Sequence, residues 1–269
     1  MKGRQMKSTV YTALTQREVS IMKAFGAIPE GQSAIQPGDA APVASFSLLG
    51  RVAASLWFVV LTILFAKGLT AMIRALPPID NLGSDNFALW ATVVSRCCTL
   101  VFYLTLGWLI LIRPHPLARR EGIVPLAVSF IGTYGVWLAP IVLRPFLLEP
   151  GQVSPALEVA SAAVTLLGSF SIILAVLHLG KSFSIAPQAR KLVVGGPYRL
   201  VRHPLYVAEE IAFIGFLMQY AWYAALAYLI LHMGFQIRRM LYEESLLRAV
   251  FPDYKAYAQR TARLIPGIW

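Results

Sequence analysis

The strongest constraint on this chain is a series of apolar runs with almost no charge inside them, at about 48–73, 87–112, 123–143 and 156–179. A helix of roughly 20 apolar residues crosses a bilayer core, and each run reaches that length. Backbone in hydrocarbon must satisfy its own hydrogen bonds, so runs of this kind are helices. Only 14% of the residues are charged and 57% are hydrophobic, against about 25% charged in soluble domains. The chain therefore reads as all-α and polytopic: four transmembrane helices, then a helical hairpin and an amphipathic C-terminal segment.

The hairpin is inferred from length. The apolar stretch over 204–237 is too long for one simple span and short of two full spans with a turn. Gln219-Tyr220-Ala221-Trp222-Tyr223 falls in its middle, where an interfacial turn places aromatics. A compact hairpin fits. Charge placement agrees. The N-terminal arm (Lys2, Arg4, Lys7, Arg17, Lys23), the loop over 113–120, the loop over 181–202 and the tail over 238–263 are all basic, whereas the loops around Asp80/Asp85 and Glu149 are not. Four spans followed by a hairpin put every basic segment on one side, which is the cytoplasmic side by the positive-inside rule. The net charge of +11 follows from that bias and does not point to nucleic acid.

Three segments are expected: a basic arm and linker over 1–46, the four helices over 47–180, and a functional unit over 181–269. In the arm, 11–25 is an amphipathic surface helix or an unstructured tether, and 29–42 reads as a flexible linker. No secretory leader is expected, because no apolar core of sufficient length follows the first charges. Arg96 is the clear intramembrane charge and must face protein or water, and Lys67 snorkels. Gly132 and Gly135 suit a close helix approach. His178 is read as an interfacial hydrogen-bonder. Cys97 and Cys98 are adjacent on a helix, about 100° apart, which suits neither a disulfide nor a shared metal. No metal is expected.

The polar chemistry gathers in two places. Gly195-Gly196-Pro197 breaks regular structure, and Arg199, Arg202 and His203 arrive just before Pro204. The second group holds Arg239, Glu243 and Glu244, with tyrosines at 198, 206, 242, 254 and 257 distributed over both. The two groups flank one hairpin and share one membrane face, so they form two walls of one pocket. Arginines hold carboxylates by a fork, carboxylates accept from ribose hydroxyls or ammonium, and tyrosines flank flat rings. S-adenosylmethionine carries all those groups. NADPH also wants arginines, and an interfacial charge belt that only anchors the hairpin uses the same residue types.

Gly196-Pro197-Tyr198-Arg199-Leu200-Val201-Arg202-His203-Pro204-Leu205-Tyr206 resembles a signature of the isoprenylcysteine carboxyl methyltransferases, a group itself similar to membrane phospholipid N-methyltransferases. The tail is similar to the second block of that family in Arg239, Glu243-Glu244, Leu246, Leu247, Phe251, Tyr254, Tyr257 and Ile265-Pro266. The likeness covers about 176–269. It departs at Phe251-Pro252-Asp253-Tyr254, where the family often has Gly after Phe. The resemblance implies a cytosol-facing S-adenosylmethionine site bordered by Arg190, Lys191, Leu192, Val193, Gly196 and Tyr198, with His203 and Tyr206 beside it and Glu243 holding it. It assigns Arg239 to the substrate, and Arg202 and Glu244 to catalysis. It implies direct methyl transfer to a lipidic, membrane-partitioned acceptor, most like isoprenylcysteine carboxyl O-methylation. A phospholipid, small amine or thiol acceptor is an alternative. Two other classes compete: an NADPH-dependent membrane reductase of related architecture, and a non-catalytic membrane scaffold or transporter. The chain shows no internal repeat of the kind transporters carry.

Overall fold

The computed structural model describes residues 48–74, 76, 84–120, 122–148 and 153–267. The arm and linker expected over 1–46, Asp80 and Glu149 lie outside the described residues. Within them run α1 (Leu48–Arg74), α2 (Ser84–Ile112), α3 (Ile123–Val142), α4 (Pro155–Leu179), α5 (Pro204–Leu217), α6 (Trp222–Val250) and α7 (Tyr254–Arg260). Among the described residues, three segments are long and apolar enough to cross a membrane: Ala54–Arg74, Leu89–Ile112 and Pro155–Ser182. Helix α3 has 20 residues, of which Ile123–Val136 is counted as a shorter apolar stretch. Large apolar side chains such as Leu64, Trp108, Phe170 and Leu177 are exposed on these helices. Such a surface suits lipid, not water.

The start of α4 follows from its sequence. Ser154 accepts a hydrogen bond from the Leu157 amide at 3.3 Å, Pro155 fills the first helical position, and Glu158 sits in the first turn. All three satisfy or complement a helix N-terminus. Small residues then set the closest crossing. A Cβ on Gly168 would lie 2.2 Å from the Ala212 backbone nitrogen, and one on Gly215 would lie 2.5 Å from that of Thr165. Helices α4 and α5 thus touch backbone to backbone, and the Ser161 hydroxyl donates to the Gly215 carbonyl at 2.7 Å. The pairs α1–α2 and α2–α4 complete one layer, with Ser95 and Ser169 hydroxyls 2.7 Å apart across the second. Phe58, Tyr103, Leu106, Val176, Phe183 and Leu205 form its core. Arg96 lies with its Nη1 against Gly68 of α1, so it faces protein as expected.

The hairpin is present but differs from the expected compact form. Its turn falls at Met218–Ala221, where Tyr220 bridges to Leu147 and the Ala221 amide donates to Phe146 at 2.8 Å. The arms, however, diverge: α5 packs on α4, and α6 packs on α3. Gly132 and Gly135 allow that second contact, because a Cβ on either would meet Gln236 or His232 at 3.2–3.3 Å. Tyr228 donates to the Gly135 carbonyl at 2.7 Å. Splayed arms leave room between them near the polar end. Helix α6 also continues to Val250, so Arg238 does not begin a separate tail; apolar and charged sequence share one rigid rod.

A two-residue ladder joins Ala118–Arg119 to Gln188–Ala189, antiparallel, in the register Ala118↔Ala189. It is a small departure from an all-α chain. It ties the 113–120 loop to the 181–203 loop, which places both basic loops at one end of the molecule.

Candidate functional site

The polar loop and the C-terminal segment are joined by backbone and side chains. The Arg202 amide donates to the Ala262 carbonyl at 2.8 Å and the His203 amide to Arg263 at 3.1 Å. The Tyr257 hydroxyl donates to the Tyr198 carbonyl at 2.6 Å. Glu244 lies at the centre, almost fully buried on α6. It pairs with Arg202 at 2.8 Å and Arg263 at 3.1 Å, with His203 at 3.3 Å and Arg248 at 3.7 Å. Burial alone would raise its carboxyl. The hydrogen bond and charge of His203, then Arg263 and Arg202, outweigh that and hold it at about 2. Burial also pushes the Tyr257 phenol up to about 12 and Tyr198 higher still.

Against this framework lies an open cleft. Arg190, Lys191, Leu192 and Val193 line one side, Tyr198, His203 and Tyr206 another, and Arg239 and Glu243 a third. His203 stacks on Tyr206 with rings 5.3 Å apart and 13° from parallel. The Tyr206 hydroxyl donates to Glu243 Oε1, which orients that carboxylate while leaving Oε2 available.

Arg239 marks the inner end. Its side chain is 1% exposed, and its guanidinium lies 4.6 Å over the Tyr206 ring. It stands 3.7 Å from Glu243 and 4.0 Å from Glu209, too far for hydrogen bonds, so Nε and Nη1 have no hydrogen-bond partner among the described residues. A buried guanidinium with open donors costs stability unless a ligand meets it. A second, mostly apolar cavity of about 1,080 Å³ including its open side begins at the same residue. It is enclosed by α1 to α5 through Phe58, Tyr103, Tyr134, Ile172 and Phe213, among others. Arg239 and Phe183 belong to both cavities.

Of the residues singled out from sequence, Arg190, Lys191, Leu192, Val193, Tyr198, Arg202, His203, Tyr206, Arg239 and Glu243 all border the cleft. Gly196 does not. It has φ +58, and a Cβ there would lie 2.1 Å from His178 Cδ2. Its lack of a side chain lets the loop close over His178, whose Nδ1 is 2.8 Å from the Leu174 carbonyl. Glu244 does not line the cleft either. Two acids escaped the sequence reading. Glu209 lines the apolar cavity and accepts from Gln236 at 2.9 Å, and buried Glu210 lies 2.9 Å from His232. The adjacent acids Glu209-Glu210 stand inside an otherwise apolar run, and intramembrane carboxylates are a signal in themselves. Arg96 is thus not the only charge of that kind. Among the described residues, no three His, Cys, Asp or Glu side chains converge.

Residues 157–254 match the family model described as phospholipid methyltransferase. The match begins inside α4 and ends at the start of α7, and it is consistent with the likeness drawn from the two polar blocks. No curated protein and no solved structure gives a significant match to the chain. The matched family and the three apolar helices support an integral membrane protein with methyltransferase character.

Proposed function

We propose that this protein is an integral-membrane, S-adenosylmethionine-dependent methyltransferase acting on a lipidic acceptor. Four spans and a hairpin would leave both termini in the cytoplasm, and residues 181–269 would supply the cofactor site. One observation carries the reading: a cleft bordered by charged side chains and a more apolar cavity meet at one buried arginine, Arg239. A polar cofactor and a membrane-dissolved acceptor need that division. The matched phospholipid methyltransferase family points the same way.

The donor set fits S-adenosylmethionine. Glu243, with one oxygen held by Tyr206, is suited to a ribose hydroxyl or an ammonium. Lys191 suits a carboxylate, and Tyr198 and Tyr257 present aromatic surface to the same cleft. When bound, the cofactor supplies a methyl group already activated on a sulfonium, so the protein needs no nucleophile of its own. The chain's task is alignment and exclusion of water. Arg239 directs its open donors toward the acceptor. Arg202 and Glu244 position the loop instead of reacting, because Glu244 is enclosed by its ion pairs.

The acceptor is first a carboxylate, as in isoprenylcysteine O-methylation, oriented by Arg239 and needing no base. Glu209 favours a second reading. Beside Arg239 at 4.0 Å, with Glu243 on the other side, it gives the junction two acids to one base. That balance suits an amine, whose proton Glu209 would accept.

Calorimetry on the full chain in detergent tests the cofactor. Binding of S-adenosylmethionine and its demethylated product, absent in Glu243→Gln, is expected. A thermal shift with NADPH but none with S-adenosylmethionine would replace this reading with the reductase. Mass spectrometry of membrane extract incubated with labelled cofactor then identifies the acceptor.

A further inference from the structure

A second basic pocket lies beside the cleft and shares Gln188 and Arg190 with it. It is bounded by Arg51 at the start of α1, Arg113 and His115 just beyond α2, and Arg119, Gln188 and Arg190 on the two short strands and the residue that follows them, with about 10 Å³ of free interior volume behind an open mouth. Among the described residues, no acidic side chain lines it. Arg190 is 8% exposed. Its Nε donates to the Pro114 carbonyl at 3.1 Å and its Nη2 to Gln188, while its Nη1 is buried with no hydrogen-bond partner among the described residues. Arg51 donates through Nη1 to the Arg113 carbonyl at 3.2 Å, and its Nε is likewise buried and unpartnered. Backbone carbonyls therefore fix the forks while open donors remain. Guanidiniums gathered without an acid repel one another. Burial, then Arg113, lowers Arg190 to about 10, and burial, then Arg51, lowers Arg113. An arrangement of this kind is stabilised by a bound anion, and arginine forks match phosphate geometry.

We propose that this pocket binds a phosphate-bearing anion, separately from methyl transfer. Its position favours a lipid headgroup. Arg51 precedes the membrane segment that begins at Ala54, and Arg113 follows the one that ends at Ile112, so both stand at the membrane rim, where basic pockets between helices take anionic headgroups. Arg190 borders this pocket and the cleft alike, so occupancy would steady the wall that holds Lys191 and Leu192.

The test uses the full chain in nanodiscs of phosphatidylcholine with or without phosphatidylglycerol, with lipid retention read by native mass spectrometry. A detergent arm measures thermal shift with inorganic phosphate. Arg51→Gln/Arg113→Gln should retain phosphatidylglycerol roughly thirtyfold less well. Lys181→Gln/Arg199→Gln, which removes two exposed charges from the same end, should retain it normally. Stabilisation by phosphate but not by phosphatidylglycerol would assign the site to a soluble anion. Equal losses in the two double variants, or no preference for either anion, would overturn the proposal. If the glutamine pair does not fold, Arg51→Lys/Arg113→Lys carries the test: it keeps charge but loses the forks, and wild-type retention there counts against the site.

Discussion

Replacing Glu244 with Gln removes one charge from the centre of the loop–tail junction and almost no volume. The wild-type carboxyl is held at about 2 against an ordinary value of 4.5, which corresponds to roughly 3 kcal/mol of folding stability at neutral pH. An independent route agrees: removing one partner of a buried ion pair costs about 3–5 kcal/mol, because the remaining charges stay buried. Arg263 and Arg202 would be those charges. The expected result is a loss of roughly 3 kcal/mol in a detergent unfolding titration, with faster proteolysis of the segment after Phe251. The wild-type protein should show the matching pH dependence. A carboxyl whose value is lowered on folding stabilises above 4.5, and that contribution disappears as pH falls through about 2. A Glu244→Gln protein within about 0.5 kcal/mol of wild type, the range of an ordinary surface substitution, would refute the reasoning. Unchanged stability with lost turnover would instead make Glu244 a catalytic residue.

Arg239→Lys should keep the buried charge but lose the open fork; turnover is expected to fall by about a hundredfold, the scale seen when a reacting group is misplaced by an ångström, with cofactor affinity within a few-fold by calorimetry. Glu209→Gln separates the two acceptor readings: with an amine acceptor, initial rates should drop at neutral pH and recover as pH rises, whereas a carboxylate acceptor should react at least as fast as in wild type. Gly196→Ala should cost about 1–2 kcal/mol in backbone strain at φ +58, besides the clash with His178. Thermal denaturation of Gly196→Ala/His178→Ala should recover the steric part and leave the strain.

The splayed hairpin explains why part of the site stayed hidden in the sequence. A hairpin inferred from length and aromatic placement says nothing about which neighbour each arm prefers. That choice rests on Gly168 and Gly215 for α5, and on Gly132 and Gly135 for α6. The first pair meets backbone and the second meets the side chains of Gln236 and His232; the two contacts draw the arms apart, and the apolar cavity extends from the gap. Glu209 takes part only because α5 turns it toward Arg239, and its neighbour Glu210 goes the other way to His232. Periodicity could not separate two adjacent acids whose roles depend on two different partners.

By itself the sequence determined the class of molecule. Apolar length and scarce charge leave a helical membrane protein, and the two polar blocks around residues 196–206 and 239–257 name the residues that meet. These are properties of composition and order, which no packing detail can reverse. Tertiary structure decided the rest. It made Glu244 an enclosed anchor and Gly196 a packing position, and it put Arg239 where a cleft bordered by charged side chains joins a more apolar cavity. It also assembled an anion pocket from arginines 51, 113, 119 and 190. The physical reason is that burial and partner geometry are pairwise quantities. A charge in a sequence has only neighbours along the chain, and whether it is paired, solvated or left with open donors is settled when distant elements close around it.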